Sequence, residues 1–350
     1  MFSNRAFFLC AFIASISLLF GQVSAADSTA KAPPTMEQLK KQYERPKNIP
    51  YPAFNPYSDA KFDLGKALYF DPRLSKSGVT SCATCHNPSL AWGDGLGKSV
   101  GFSHQILGRK SPTILNLAWD ILLFWDGRAE SLEEQSLGPI AASGEMNLPL
   151  DEMEKRINSI AGYKALFTKA FPESNGVASR ELVAKAIATF ERKAATSGEA
   201  PFDRWIKGNE NAISAEAKQG FMLFNTKAQC ASCHLTWRFS DQSFHDIGLK
   251  DDQDRGRGKL DTDLEIMQYA FKTPGLRDIS RRAPYMHDGS INTLEAVIDH
   301  YADGFVRRPS LSGNMKPFQL SDPEKKALIA FLQTLTSDKN TPISLPDLPY

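Results

Sequence analysis

The sequence predicts a mainly α-helical protein of two similar halves in tandem, with few strands. Three observations predict it. A five-residue motif occurs twice, as Cys82-Ala83-Thr84-Cys85-His86 and as Cys230-Ala231-Ser232-Cys233-His234. Each copy follows a segment in which a glycine stands among apolar residues at helical spacing: Leu64-Gly65-Lys66-Ala67-Leu68-Tyr69-Phe70 before the first, Gly220-Phe221-Met222-Leu223-Phe224 before the second. Each half then closes on a further amphipathic helix, near 179–193 and near 321–332. At roughly 100–200 residues per domain, a chain of 350 residues carries about two domains.

In chain order, the first 25 residues read as a cleaved export leader. Arg5 supplies a positive start, residues 6–20 form an apolar run, and Val23-Ser24-Ala25 offers a small-residue cleavage site. The run is short of the ~20 residues that span a bilayer, and no later stretch is longer. The mature chain is therefore expected in the periplasm, with no membrane span. The first domain is read at 26–196. Residues 197–210, with Pro, Gly and Asn, read as a linker, and the second domain occupies 211–350. The helix near the end starts at Ser321-Asp322-Pro323-Glu324, with an N-cap, a first-turn proline and an early carboxylate. Its apolar residues Leu328, Phe331, Leu332 and Leu335 make a stripe for the second domain.

Composition excludes several classes. Lys+Arg is 41 and Asp+Glu is 40, so no basic excess points to nucleic acid. With 22 Phe and five Trp, the chain can fill two cores and is not a disordered polyelectrolyte. Five cysteines in this length do not make a disulfide scaffold.

Removal of the leader takes Cys10 and leaves four cysteines, all in the repeated motif. C-x-x-C-H is the attachment signature of c-type haem: two thioethers hold the porphyrin edge and the adjacent His turns to the iron. A zinc site would need further ligands, and no other cysteine supplies them. The expectation is two covalently bound haem c groups, on Cys82, Cys85 and His86 and on Cys230, Cys233 and His234. The halves are then two tandem cytochrome c-like domains.

The opposite face of each iron decides between electron carriage and peroxide chemistry. Residues 293–301 read as a helix with Leu294, Val297, Ile298 and Tyr301 on one face. Tyr301 is thus a candidate axial ligand of the second haem, with a plain core tyrosine as the alternative; His300, about 100° away, is expected to be solvated. For the first haem, Gln135 and Glu145 are candidates to orient peroxide and to protonate its leaving oxygen. On composition alone Glu145 also reads as a solvated loop carboxylate, and Trp125 as a core residue.

The chain resembles the bacterial dihaem cytochrome c peroxidase and MauG superfamily from about residue 57 to about residue 335. The resemblance rests on Tyr69-Phe70-Asp71-Pro72-Arg73-Leu74-Ser75, Ser111-Pro112-Thr113, Phe124-Trp125-Asp126-Gly127-Arg128, Pro201-Phe202-Asp203 and Ala283-Pro284-Tyr285-Met286-His287-Asp288-Gly289. It implies that His86 and His234 are proximal ligands of a high-spin and a low-spin haem. It also implies that Gln135 and Glu145 lie over the first haem and that Trp125 lies between the two. In ordinary peroxidases of the superfamily a Met follows the His of the Tyr-x-His motif by fourteen residues; fourteen from His287 is Tyr301. A Tyr there is similar to the MauG branch, which completes the tryptophan tryptophylquinone of a methylamine dehydrogenase precursor with hydrogen peroxide, or oxygen and electrons. An anionic oxygen ligand lowers haem potential, which suits that oxidation. The alternatives are a peroxidase drawing electrons from a small periplasmic carrier, and a plain electron-transfer cytochrome.

Three departures stand out. The distal His that follows Ser-Val-Gly in many peroxidases is Phe102 here, with His104 two residues on. The Trp that precedes the second motif in the MauG branch is Ala228, although Trp237 lies just beyond it. The family's calcium ion implies the carbonyls of Arg282 and Pro284 as ligands, but the Asn that completes the site is Lys110.

Overall fold

Hydroxyl caps start the long helices close to where the sequence placed them. Ser58, Ser131, Ser179, Ser214 and Thr293 each accept a hydrogen bond from a backbone N–H in the first turn, and Ser321 forms a capping box with Glu324. The computed structural model describes residues 34–250, 253–338 and 343–350. The leader read at 1–25 lies outside the described residues. The helices are α1 (Met36–Gln42), α2 (Asp59–Phe70), α3 (Cys82–Cys85), α4 (Leu132–Ala141), α5 (Leu150–Asn158), α6 (Ala161–Ala170), α7 (Arg180–Ala194), α8 (Pro201–Ile206), α9 (Ala215–Asn225), α10 (Leu294–Asp299) and α11 (Asp322–Gln333). Two short strands, β1 (Phe244–His245) and β2 (Phe271–Lys272), pair antiparallel with His245 opposite Phe271.

The same helix crossing organises both halves. Helix α2 packs on α7, and α9 packs on α11. At each crossing the backbones meet at the glycine noted in the repeat. A Cβ on Gly65 would stand 1.9 Å from the Ala186 carbonyl oxygen, and one on Gly220 1.9 Å from that of Ala327. The crossings bury one core around Leu64, Leu68, Ile187 and Phe190, and a second around Phe202, Phe221, Phe224, Phe239 and Phe331. The apolar stripe of α11 enters the second core as its spacing implied, with Leu328, Phe331, Leu332 and Leu335 all buried.

Residues 197–210 are not a simple linker. They hold α8, which begins on Pro201 and buries Phe202 and Trp205 completely in the second core. Two aromatic residues three apart outweigh the turn-forming composition around them. The chain ends also cross over. Leu39 and Tyr43, on and just after α1, lie in the second core. Ile343 packs on the first core, and the Arg73 guanidinium donates to the Pro349 carbonyl at 2.7 Å. Neither core is therefore contiguous in sequence.

Gly220→Ala should destabilise the protein by about 1–3 kcal/mol, the usual range for overpacking, read as a lower thermal midpoint. Gly313→Ala, with nothing within 4 Å of the added carbon, should leave the midpoint unchanged.

Candidate functional site

The two motifs present their histidines by one device. His86 closes the single turn of α3, its backbone N–H bonded to the Cys82 carbonyl at 2.9 Å. Its Nδ1 lies 3.3 Å from the Trp92 carbonyl. His234 likewise has Nδ1 2.8 Å from the Phe239 carbonyl. A carbonyl there assigns the proton to Nδ1 and leaves the Nε2 lone pair free for a metal. Burial pushes both imidazoles down, which keeps them neutral. The Tyr69 hydroxyl donates to the His86 carbonyl at 2.6 Å and ties the first motif to α2.

An open cavity of about 1340 Å³ is walled by Cys230, Cys233 and His234, and also by Tyr301. Tyr301 does not continue α10. It lies in a π-helical turn, His300–Gly304, of the kind often found at functional sites. The wider turn changes the angle between successive side chains, so the expectation of a solvated His300 fails. His300 is buried, with Nε2 2.9 Å from the Ile247 carbonyl, while Tyr301 still faces the cavity. Burial pushes the Tyr301 phenol up, so it ionises only if a cation supplies the compensating charge.

Other groups on this wall went unread in the sequence. Met286 and His287 fall inside the quoted Tyr-Met-His stretch, whereas Met315 and His245 gave no signal. His245 lies between Asp241 Oδ2 at 2.8 Å and Ser312 Oγ at 3.0 Å. Ligand atoms of Cys233, Asp241 and His245 lie within 4.8 Å of one another. A Cys233 sulfur tied up as a thioether is lost as a thiolate, so the trio does not make a second metal centre.

A second cavity of about 920 Å³ adjoins the first, and Trp125 stands in the wall of both. The Trp125 indole N–H donates to the Lys110 carbonyl at 2.9 Å. Its ring lies 6.3 Å from that of His287, on which Phe271 stacks at 3.4 Å. Arg238, Arg277 and Arg282 also line this cavity, and each keeps a buried nitrogen without a hydrogen-bond partner: Nη1 of Arg238 and Arg277, Nε of Arg282. Haem carries two carboxylates. Unmatched guanidinium donors in a cavity that shares Trp125 with the one walled by the second C-x-x-C-H motif fit such a group.

Around the first motif, Glu145 is half-buried on the loop after α4. Burial pushes its carboxyl up, and Arg128 only partly offsets this. The Glu145 charge acts on the Cys85 thiol of the first motif. Gln135 is half-buried on α4. Arg128, a residue the sequence reading left without a role, stacks 3.4 Å over Phe124 and pairs with Asp126 at 2.9 Å. His104 is exposed on its loop. Ala228 is buried, and Trp237 packs edge-on against the half-buried Trp119 at 4.9 Å. Arg282 and Pro284 line the second cavity beside Lys110.

A family model described as di-haem cytochrome c peroxidase matches residues 59–211, and a cytochrome c model matches 217–336. The chain is 53% identical over 327 residues to the methylamine utilization protein MauG of Methylorubrum extorquens, covering 93% of this chain and 92% of that one. The chain belongs to the dihaem cytochrome c peroxidase and MauG family. Within the family it is also 35% identical to the cytochrome c551 peroxidase of Pseudomonas aeruginosa, covering 84% of this chain and 83% of that one. A solved MauG-like protein associated with microbial copper homeostasis superposes with a TM-score of 0.77 at 32% identity, covering 85% of this chain and 96% of that one. Family membership makes the chain a dihaem oxidoreductase with two haem c groups in two tandem cytochrome c-type domains. Among the described residues, no helix is long and apolar enough to cross a membrane.

A charge clasp holds the turn after Trp125. Arg109 bridges Asp126 at 2.7 Å and Asp254 at 2.5 Å, and Arg257 donates to the Gly127 carbonyl at 3.1 Å. Burial alone would raise both carboxyls; hydrogen bonds from Arg109, joined by Arg128 at Asp126 and Lys259 at Asp254, outweigh it and hold both below the ordinary range. This contribution to stability is complete above the ordinary carboxylate range and is lost as pH falls through the lowered values. Calorimetry of the holoprotein should show a thermal midpoint that falls on acidification, with a shallower fall in Asp254→Asn.

Proposed function

We propose that this chain is a periplasmic MauG-type oxidase, exported through a leader at 1–25. Its substrate would be a methylamine dehydrogenase precursor, whose tryptophan tryptophylquinone it completes with hydrogen peroxide, or with oxygen and electrons. Tyr301 carries the reading: it shares one cavity with Cys230, Cys233 and His234. The 53% identity to a methylamine utilization protein supports it.

In this reading Cys82, Cys85, Cys230 and Cys233 hold two haem c groups, with His86, His234 and Tyr301 as iron ligands. The bound haems supply the redox chemistry that draws oxidising equivalents from peroxide. The protein does the rest. Gln135 orients peroxide by hydrogen bonding, and Glu145, whose carboxyl burial pushes up, gives a proton to the leaving oxygen. Trp125, fixed by the Lys110 carbonyl, spans the wall between the cavities, and the Trp237–Trp119 pair is a candidate aromatic route outward in place of the family Trp at Ala228. A small periplasmic carrier would supply electrons when oxygen is the oxidant. The domain limits that go with this reading are 26–196 and 211–350, with α8 assigned to the second core.

A second reading is a cytochrome c peroxidase fed by a small cytochrome or cupredoxin. It draws on Met315, whose side chain lines the same cavity as His234 and could offer the thioether ligand of a peroxidase.

Purified diferric protein mixed with hydrogen peroxide and the precursor should develop a quinone absorption band that is absent without the protein. Efficient oxidation of a reduced cytochrome with no band would favour the peroxidase instead. Tyr301→Met should abolish quinone formation while keeping both haems; a wild-type rate in that variant would overturn the role given to Tyr301. Glu145→Gln should slow the peroxide step by about 100-fold, within the usual range for a general acid. In the wild type that step should slow as pH rises through the raised carboxyl value, and Glu145→Gln should lose this dependence.

A further inference from the structure

The cavity beside Trp125 carries an excess of positive charge. Lys110, Arg238, Lys272, Arg277 and Arg282 line it, and among the described lining residues the carboxylate is Asp120. Asp120 pairs with both Arg238 and Lys272, and Asp203 pairs with Arg277 at 2.9 Å. Among the described residues, neither Lys110 nor Arg282 has a carboxylate within ion-pair distance.

The family resemblance implies a calcium ion on this wall, with the side chain at position 110 as one ligand. The residues present do not fit it. Calcium takes six to eight oxygen ligands, many of them carboxylates. A lysine ammonium offers three donors and no acceptor. The Lys110 ammonium is buried and donates to the Leu96 carbonyl at 3.0 Å, which engages one of the oxygens nearby. The Lys110 carbonyl is engaged as well, by the Trp125 indole at 2.9 Å. Arg282 is close enough to act electrostatically on Lys110, and its own buried Nε lacks an acceptor. A divalent ion here would face two positive charges, and the side chain at position 110 offers it no oxygen.

We propose that the Lys110 ammonium is the built-in cation of this wall, in the place the family gives to calcium, and that the chain takes no divalent ion there. Lys110 is a positioning residue. Its ammonium holds the loop at Leu96, its amide N–H donates to the His287 carbonyl at 2.8 Å, and its carbonyl fixes Trp125. Two of these contacts use the backbone and survive any side-chain change. The side chain therefore sets the charge of the wall more than its shape. The proposal is independent of which protein is oxidised.

The test uses the dihaem holoprotein and reads metal content, ferric EPR and thermal midpoint. Wild type dialysed against EGTA should keep its EPR spectrum and midpoint, contain no stoichiometric calcium, and give no titration heat with calcium chloride. Calcium in the wild type at about one per chain, removable by EGTA with a change of spin state, would overturn the proposal. Lys110→Asn restores an oxygen ligand and removes the charge. It should bind calcium and show a calcium-dependent rise in midpoint, while Lys110→Met should show neither. A folded Lys110→Asn protein that takes up no calcium would overturn the claim that the ammonium excludes the ion. If that variant does not load haem, the wild-type metal content decides alone.

Discussion

In each half, two helices cross so closely that only glycine fits at the contact. Where α2 meets α7 and α9 meets α11, the backbone of one helix rests against a carbonyl of the other. That approach sets the position of everything downstream. The chain leaves α2 toward Cys82 and leaves α9 toward Cys230, and in both halves the imidazole comes to rest on a backbone carbonyl. The carbonyl and the burial act together: one fixes the tautomer, the other keeps the ring neutral. A histidine prepared in this way needs little reorganisation to take up a metal.

The wall between the halves is governed by charge. Trp125 belongs to both cavities, and the groups around it are mostly cationic. Buried guanidinium donors without acceptors are costly unless a ligand answers them. Haem carboxylates held in this region would answer them, and Arg238, Arg277 and Arg282 are the residues that would hold such groups. A lysine in place of a neutral amide adds to this positive charge without recruiting an ion from solution.

Much of this was legible in the sequence, for identifiable reasons. The C-x-x-C-H motifs are local, and the cap at Ser321 is local too, so they survive without tertiary knowledge. Tyr301 was reached from an apolar stripe and from a fixed spacing after His287. The same stripe misjudged His300, because a π-helical turn leaves no mark in the pattern. Residues 197–210 looked like a linker because Pro, Gly and Asn are common there, yet Phe202 and Trp205 were the stronger signal. Lys110 and Arg282 were brought together by the resemblance alone, whereas the arrival of Arg238 and Arg277 beside them could not be read at all: they come from distant segments and meet only in the folded chain.

The crossed ends bear on how the molecule reaches its final form. Leu39 and Tyr43 emerge early in synthesis, but the core that receives them is completed by Phe331 and Leu335, near the end. The segment at 343–350 closes over a first core whose other members are present long before. Each half thus waits on the other, and contacts of such long sequence separation form slowly. The two cysteine pairs thus sit against cores that close only when segments far apart in sequence have met.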